Sequence, residues 1–259
     1  MKKFRLLIEY DGSAYHGWQV QDDVTTVQGI LEDRVQRLTK AATKVLGASR
    51  TDTGVHAFGQ VACFIAGIRH DTDVIHRALN ATLPSDIRIL NVSKVDISFN
   101  PRNDAIRKSY VYIIANEKKS SVFLQKYATL VRQKLEIQAM RQASEALLGE
   151  HDFASFMGTG SGIKDPVRTV YSLTIEQLEE LEFMTVSLRG NFIRIKIEAN
   201  GFLRHMVRNI VGTLIKIGRG MISPAGMKDI LESKDRTRAG ETAPPNGLFL
   251  ERITYKSKE

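Results

Sequence analysis

The sequence of 259 residues has a single cysteine, a single tryptophan and only six prolines. Cys63 cannot form an intrachain disulfide, and one cysteine does not make a zinc cluster. No apolar run approaches the roughly 20 residues that a membrane-spanning helix needs. The N-terminus alternates Leu6, Ile8 and Tyr10 before Asp11, which predicts a strand and not a signal peptide. These absences predict a cytoplasmic protein with a reduced thiol, no membrane span and no metal centre.

Positive charge, in contrast, is abundant. The net charge is +8, while 42% of the residues are hydrophobic and 25% are charged, as in ordinary globular proteins. A chain of this length forms one large domain or two smaller ones. A basic domain favours a polyanionic partner such as nucleic acid through counterion release, although many basic proteins bind none.

The first half of the chain predicts the order strand, helix, strand, loop, strand, helix, strand. The first helix is predicted to start at the capping-box pair Thr25 and Gln28 and to end near Thr39. The second helix begins near His76 and is broken by Pro84. The predicted strands cover residues 4–10, 43–46, 60–67 and 87–95.

The second half predicts a similar order, so the chain is expected to form two similar α+β units, residues 1–103 and 104–259. The predicted helices cover residues 135–148 and 201–218, and a last helix begins at Ser223 and Pro224. The predicted strands cover residues 109–116, 170–178, 192–198 and 248–255.

Residues 47–57 form a predicted loop between two strands, and such a loop is a common position for catalytic groups. It contains the carboxylate of Asp52 and the guanidinium of Arg50. Gly54 permits a positive φ angle and a close approach of a ligand to the backbone. Taken alone, the loop is more typical of turn capping by Asp52 and surface pairing by Arg50.

The octapeptide Arg50-Thr51-Asp52-Thr53-Gly54-Val55-His56-Ala57 resembles the catalytic signature of pseudouridine synthases, in particular the tRNA pseudouridine synthase A family. The chain departs from the family at Thr53, where a small residue is usual, and at residues 100–102, where His-Ala-Arg is more usual. Both departures concern loop shape and remove no catalytic group. The other matching segments follow in the family's order and cover nearly the whole chain: residues 10–19, 78–80, 108–112, 151–153, 201–212 and 242–244.

This resemblance implies an isomerase that converts uridine to pseudouridine in the anticodon stem-loop of tRNA, at positions 38, 39 and 40. It implies the pseudouridine synthase fold: two α/β units with mostly antiparallel mixed sheets side by side, helices on the outer face and the active-site cleft between the units. It also implies a homodimer. Because the reaction rearranges a single nucleotide, no metal and no organic cofactor is expected.

The resemblance further assigns roles to individual side chains. Asp52 is the nucleophile, Arg208 pairs with it, and Tyr110 lies against the target uracil and assists removal of its C5 proton. A buried carboxyl needs such a partner because desolvation raises its pKa and a nearby guanidinium lowers it. Arg50 is expected to fill the gap left by the flipped nucleotide or to hold its phosphate. Whether Asp52 attacks C6, attacks C1′ or abstracts a sugar proton stays open.

The predicted helix over residues 201–218 carries an apolar stripe and a separate row of basic residues. Gly212 interrupts this row at a cost of roughly 1 kcal/mol relative to alanine, which predicts a close approach of a ligand or of another backbone. A solvated basic face without a ligand is the common alternative. The row includes Arg208, and the residues on it that are expected to bind tRNA phosphates are Arg204, Lys216 and Arg219.

Two other functions are compatible with parts of the sequence. A non-catalytic RNA-binding protein on the same fold would explain the charge and Tyr110, but not the full set of candidate side chains. A metal-dependent phosphoesterase would need clustered ligands, and His70, Asp71 and Asp73 lie in a polar loop with no further ligand nearby in sequence. Residues 158–162 are glycine-rich but lack the Gly-Lys-Ser/Thr ending of a phosphate loop.

Overall fold

A computed structural model describes residues 1–160, 162–183 and 185–256, so Ser161 of the glycine-rich segment lies outside the described residues. The chain divides into two compact units, Met1–Ile106 with the segment from Phe249, and Arg107–Leu248. Among the described residues, no helix combines the length and apolarity that a bilayer crossing requires. In chain order, the helices and strands are β1 (Lys2–Tyr10), α1 (Val27–Thr39), β2 (Leu46–Gly47), β3 (His56–Ala66), α2 (Thr72–Asn80), β4 (Ile87–Val95), β5 (Ala105–Ala115), β6 (Thr129–Leu130), α3 (Ile137–Ser144), β7 (Gly149–Asp152), β8 (Val167–Phe183), β9 (Val186–Ala199), α4 (Met206–Gly218), α5 (Gly226–Ser233) and β10 (Leu248–Tyr255).

In the first unit the strand order is β4-β1-β3-β10, with the short β2 beside β3. β1 is antiparallel to both β3 and β4. Every second residue of β1 is buried, as expected for a strand with one covered face. The apolar residues of β1 and of the two helices that are fully buried are Phe4, Leu6, Ile8, Val27, Leu31, Val35, Ile75 and Leu79.

The last strand belongs to this first unit, although its place in the chain predicted membership of the second. β10 runs parallel to β3 and pairs Phe249 with His56 and Leu250 with Ala57. Parallel strands are far apart in sequence and are not joined by a tight turn, so no turn residues in the sequence indicate this pairing. The boundary between the units also lies inside β5 and not in a linker.

In the second unit the strand order is β5-β9-β8-β7, all antiparallel, and β6 adds to β5 in parallel. β5 and β9 pair Tyr110 with Ile197 and Tyr112 with Ile195, and all four side chains are buried. Together the units confirm the predicted fold class, an α+β protein with mostly antiparallel strands.

Two predicted element boundaries differ from the structure, the start of α1 and the extent of β2. Thr26, not Thr25, is the N-cap of α1, because its side chain accepts a hydrogen bond from the Gly29 N–H. The predicted strand over residues 43–46 is reduced to the two residues of β2, Leu46–Gly47.

Candidate active site

The loop that carries Asp52 is shorter than predicted, because β3 begins earlier and only residues 48–55 connect it to β2. The N–H of Val55 donates to the Asp52 carbonyl at 3.1 Å, which closes a turn around the partly buried aspartate. Gly54, with a φ of 76°, supplies the positive φ angle at the third position of this turn. Its N–H donates to the Tyr15 carbonyl at 3.3 Å, so the turn is also held from outside.

Buried side chains hold the segment that leads into Asp52. Gln60 accepts a hydrogen bond from the Ser49 N–H at 3.2 Å and donates one to the Ser49 carbonyl at 2.7 Å. The Thr51 hydroxyl lies 2.8 Å from the hydroxyl of Tyr10. Because these contacts satisfy buried polar groups, they restrict the path of the chain immediately before the aspartate.

The segment after β1 packs directly on the same loop. The N–H of Trp18 donates to the Thr51 carbonyl at 3.0 Å. Gly17 has a φ of 85°, and a Cβ there would lie 2.6 Å from the Thr51 carbonyl oxygen, so the approach requires glycine. The hydroxyl of Tyr15 donates to Asp86 at 2.5 Å, and burial together with this carboxylate raises the pKa of Tyr15. Residues 10–19 therefore serve as the support of the loop.

His56 follows the loop and is 2% exposed. Its Nδ1 lies 3.1 Å from the Gly12 nitrogen and 3.1 Å from Asp11 Oδ1. When Nδ1 carries no proton, it accepts a hydrogen bond from the Gly12 N–H. When Nδ1 carries a proton, it donates a hydrogen bond to Asp11 Oδ1. The ring also stacks on Phe249, with centroids 4.7 Å apart. These contacts make His56 part of the loop support.

Arg50 differs from its neighbours in the loop. It is exposed and, within the part of the chain that the structure describes, makes no hydrogen bond or ion pair. A guanidinium in this state presents its full set of donors to a ligand, and its planar fork matches phosphate oxygens.

In the second unit, Tyr110 and Tyr112 lie on the same face of β5 but differ in their surroundings. The Tyr110 ring meets Phe202 edge to face, with centroids 5.0 Å apart at 84°. The Tyr112 hydroxyl lies 2.6 Å from the Thr129 hydroxyl and donates to the Pro244 carbonyl at 2.8 Å. Burial raises the pKa of Tyr112. Tyr112 is thus a packed tyrosine with a bonded hydroxyl.

Arg208 lies in the first turns of α4. Its Nε donates to the Ala243 carbonyl at 2.7 Å, and the Ala243 N–H donates back to the Arg208 carbonyl at 3.1 Å. The guanidinium is therefore attached to a neighbouring stretch of chain through one of its own nitrogens. This restricts the plane of the group that is predicted to face the carboxylate.

The predicted basic face of α4 is not an open helix surface. All residues of α4 other than Arg208 and Lys216 are buried. A Cβ at Gly212 would lie 1.7 Å from the Glu241 carbonyl oxygen, so the glycine admits another backbone and not a ligand. Of the two predicted alternatives at Gly212, the structure therefore has another backbone, because the chain around Glu241 covers the middle of the row.

The outer basic residues are also arranged differently from the prediction. Arg204 lies before the helix, because His205 has a left-handed φ of 60° and α4 begins after it. Arg204 and Arg219 are exposed at opposite ends of α4, and Arg204 donates to the Thr159 carbonyl at 3.2 Å. A helix of 13 residues is about 20 Å long, so the two guanidinium groups are separate positive charges and do not form one continuous basic patch.

The weak metal candidates are not assembled into a site. Asp71 lies 3.8 Å from the ammonium group of Lys94. Among the described residues, no group of three or more His, Cys, Asp or Glu side chains is placed to hold a metal ion.

Several residues that build the site were missed from the sequence. Gln60 lies inside an apolar strand pattern, and Arg236 follows the last helix in a polar segment. Asn209 is fully buried and lies among apolar residues in the sequence. A polar residue isolated within an apolar run could have indicated such positions, because a buried polar side chain needs hydrogen-bond partners.

Comparisons with known proteins agree on one family. The family described as tRNA pseudouridine synthase matches residues 6–103 and 143–256. The tRNA pseudouridine synthase A of Thermodesulfovibrio yellowstonii is 40% identical over 255 residues, which cover 98% of this chain and 100% of that protein. Those of Pseudothermotoga lettingae and of a Thermoanaerobacter species are 43% and 44% identical, each with 98% of this chain and 100% of the relative covered.

Proposed function

The chain belongs to the tRNA pseudouridine synthase family, and we propose that it isomerises uridines 38, 39 and 40 in the anticodon stem-loop of tRNA. In this reaction the bond between C1′ and N1 breaks and a bond between C1′ and C5 forms. The proton on C5 leaves, and N1 takes up a proton. The nucleotide neither gains nor loses atoms overall, so the chemistry calls for no metal and no organic cofactor.

The observation that carries this proposal is the support built around one carboxylate. Asp52 is the only acidic residue among residues 48–55. The turn closed by Val55, the bonds from Gln60 to Ser49 and the close approach of the Gly17 segment all restrict the same short loop. Such preorganisation suits a group that must meet a reacting atom in one geometry. In the proposed reaction Asp52 is the nucleophile.

The remaining candidate side chains receive complementary roles. Arg208 pairs with Asp52 beneath the bound base, since a guanidinium can form charge-assisted, bidentate hydrogen bonds to a carboxylate. Tyr110 lies against the uracil, and its hydroxyl assists removal of the C5 proton. Arg50 fills the place of the flipped nucleotide or holds its phosphate. Extraction of the base costs a few kcal/mol, which these contacts offset.

The proposal extends to the partners of the protein. Phosphate contacts by Arg204, Lys216 and Arg219 supply affinity without sequence preference. The protein acts as a homodimer in the cytoplasm, with one tRNA contacting both chains.

Tritium release from tRNA labelled at C5 of uridine tests the proposed reaction. With a chelator present, an active protein releases tritium as pseudouridine forms. Binding of tRNA without release would instead identify a non-catalytic RNA-binding protein. Activity that the chelator abolishes would favour metal-dependent chemistry. Mapping of pseudouridine in tRNA from cells that lack the protein identifies the modified positions.

A further inference from the structure

A short stretch of chain, residues 240–244, lies along α4, and we call it the strap. The N–H of Gly240 donates to the Thr213 hydroxyl at 2.8 Å. The hydroxyl of Thr242 donates to Asn209 Oδ1 at 2.7 Å. A Cβ at Gly240 would lie 2.5 Å from the carbonyl carbon of Gly212, so strap and helix backbone are in direct contact.

Arg236 binds the strap from the other side. Its Nη1 donates to the Gly240 carbonyl at 2.9 Å. Its Nη2 donates to Asn209 Oδ1 at 3.0 Å and to the Thr242 hydroxyl at 3.2 Å. Asn209 also donates to the Phe156 carbonyl at 2.8 Å, which determines the orientation of its amide. The guanidinium thus joins Gly240 and Thr242 of the strap to one buried side chain of α4.

Arg236 is not held by an opposite charge. Within the described residues no carboxylate pairs with it, and its acceptors are a carbonyl, an amide oxygen and a hydroxyl. Burial lowers the pKa of this guanidinium. Partial burial of a cation costs free energy, and the three hydrogen bonds of Arg236 to neutral acceptors offset this cost.

The strap connects Arg236 to the proposed catalytic machinery. Ala243, the next residue after Thr242, accepts a hydrogen bond from Arg208 Nε at 2.7 Å and returns one to the Arg208 carbonyl. A shift of the strap therefore moves the group that orients the Arg208 guanidinium.

We propose that Arg236 is a positioning residue that, through Asn209 and the strap, sets the orientation of Arg208. The inference rests on the proposed function for its effect on turnover, but the geometry itself concerns only these side chains. A planar fork with several donors can bond all three acceptors at once, whereas a lysine ammonium presents a point charge and cannot reproduce the fork.

The test compares Arg236→Lys with Arg238→Met, a matched control at an exposed arginine of the same short helical turn. Because a small misplacement of a reacting group costs about 100-fold in rate, Arg236→Lys is expected to lower kcat by about that factor. Its KM for tRNA should stay within about threefold of the parent. Arg238→Met should change neither constant.

A second measurement reports on Arg208 without turnover. The Nε–H signal of Arg208 in a nitrogen–proton NMR spectrum is assigned by its loss in Arg208→Lys. In Arg236→Lys this signal should shift or broaden, while Arg238→Met leaves it in place. Normal kcat in a folded Arg236→Lys, or a lowered kcat with an unmoved Arg208 signal, would overturn the proposal.

A third variant pair covers the case in which Arg236→Lys does not fold. Thr242→Val removes the hydroxyl that Arg236 and Asn209 share, whereas Thr242→Ser retains it. The valine variant should reproduce the loss of kcat and the shifted signal, and the serine variant should not. Equal behaviour of the two would contradict the proposal. If the parent protein makes no pseudouridine, the proposed function fails, and the NMR signals alone decide the role of Arg236.

Discussion

The side chain of Gln60 brackets the backbone of Ser49, accepting from its N–H at 3.2 Å and donating to its carbonyl at 2.7 Å. These two side-chain hydrogen bonds take the place of a backbone pair between neighbouring strands. They continue the pairing of β2 with β3 beyond the end of β2. The rigid segment so formed stops three residues before Asp52. The position of the carboxylate therefore depends on a buried glutamine of the adjacent strand.

Asp52 should be indispensable for turnover and nearly dispensable for binding. Most affinity for tRNA comes from phosphate contacts, whereas the carboxylate acts in the transition state. Asp52→Asn keeps the size and removes the charge, so we expect no detectable pseudouridine, with tRNA affinity within about tenfold, or about 1.4 kcal/mol, of the parent. Thermal melting verifies the fold. A well-folded Asp52→Ala that still makes pseudouridine would refute the assignment of the nucleophile.

Tyr110→Phe separates the ring from the hydroxyl. The phenylalanine keeps the edge-to-face contact with Phe202 and the capacity to stack on a base. We expect severely reduced turnover with retained tRNA binding, measured by tritium release and filter binding. Tyr171→Phe, at a tyrosine that is 43% exposed, is the control for loss of a tyrosine hydroxyl. Near-normal turnover of Tyr110→Phe would leave stacking as the only role of the ring.

The exposed arginines should contribute to affinity independently of one another. Because Arg204 and Arg219 lie at opposite ends of α4, each should neutralise its own phosphate. We expect Arg204→Gln and Arg219→Gln each to lower the log–log salt slope of tRNA binding by about one, and Lys119→Gln, at another exposed position, to leave it unchanged. An unaltered slope for both arginine variants would assign these residues to the solvated surface.

Tyr112 should make the protein sensitive to alkaline pH. Its pKa is raised in the folded state by burial, whereas an unfolded tyrosine ionises near pH 10. Above that pH the unfolded chain binds fewer protons than the folded one, so the free energy of unfolding falls as pH rises. The loss approaches about 1.4 kcal/mol per pH unit for one such group.

Urea unfolding between pH 9 and pH 11 measures this effect, at pH values chosen to bracket the usual tyrosine pKa of about 10. Tyr112→Phe should be less stable at neutral pH, since it loses the bonds to Thr129 and Pro244, but its stability should fall less steeply with pH. Tyr171→Phe, at a tyrosine that is 43% exposed, serves as the control for replacement of a surface tyrosine. An equally steep fall in Tyr112→Phe would contradict the assignment.

The assembly prediction concerns the number of chains per tRNA. A single chain of 29.0 kDa offers limited surface to an L-shaped tRNA. We expect sedimentation of the free protein at micromolar concentration to show a dimer. Full activity of a monomeric protein at that concentration would refute this expectation.

The order of the longer elements was predictable because it follows from local sequence patterns, whereas the short strands β6 and β7 were missed. Strand alternation in β1, the strand β4 over Ile87–Val95 and the closing strand over Leu248–Tyr255 were all correctly placed. Helix starts were less predictable. Either of two adjacent threonines could be the N-cap of α1, and the left-handed backbone of His205 starts α4 later than the sequence pattern predicts. The contact of the Glu241 backbone with Gly212 was not predictable either, because helical spacing does not reveal which chain segment covers a face.

By itself, then, the sequence determined the α+β class, the order of the longer elements, the loop that carries Asp52 and the family. These follow from periodicity, turn residues and an ordered series of motifs, which are properties of neighbouring residues. Only the tertiary structure decided that β10 pairs with β3, that Gln60 holds Ser49, and that Arg236 and Asn209 hold the strap against Arg208. Each of these contacts joins residues from separate segments, and its strength depends on distances and burial that no local pattern contains.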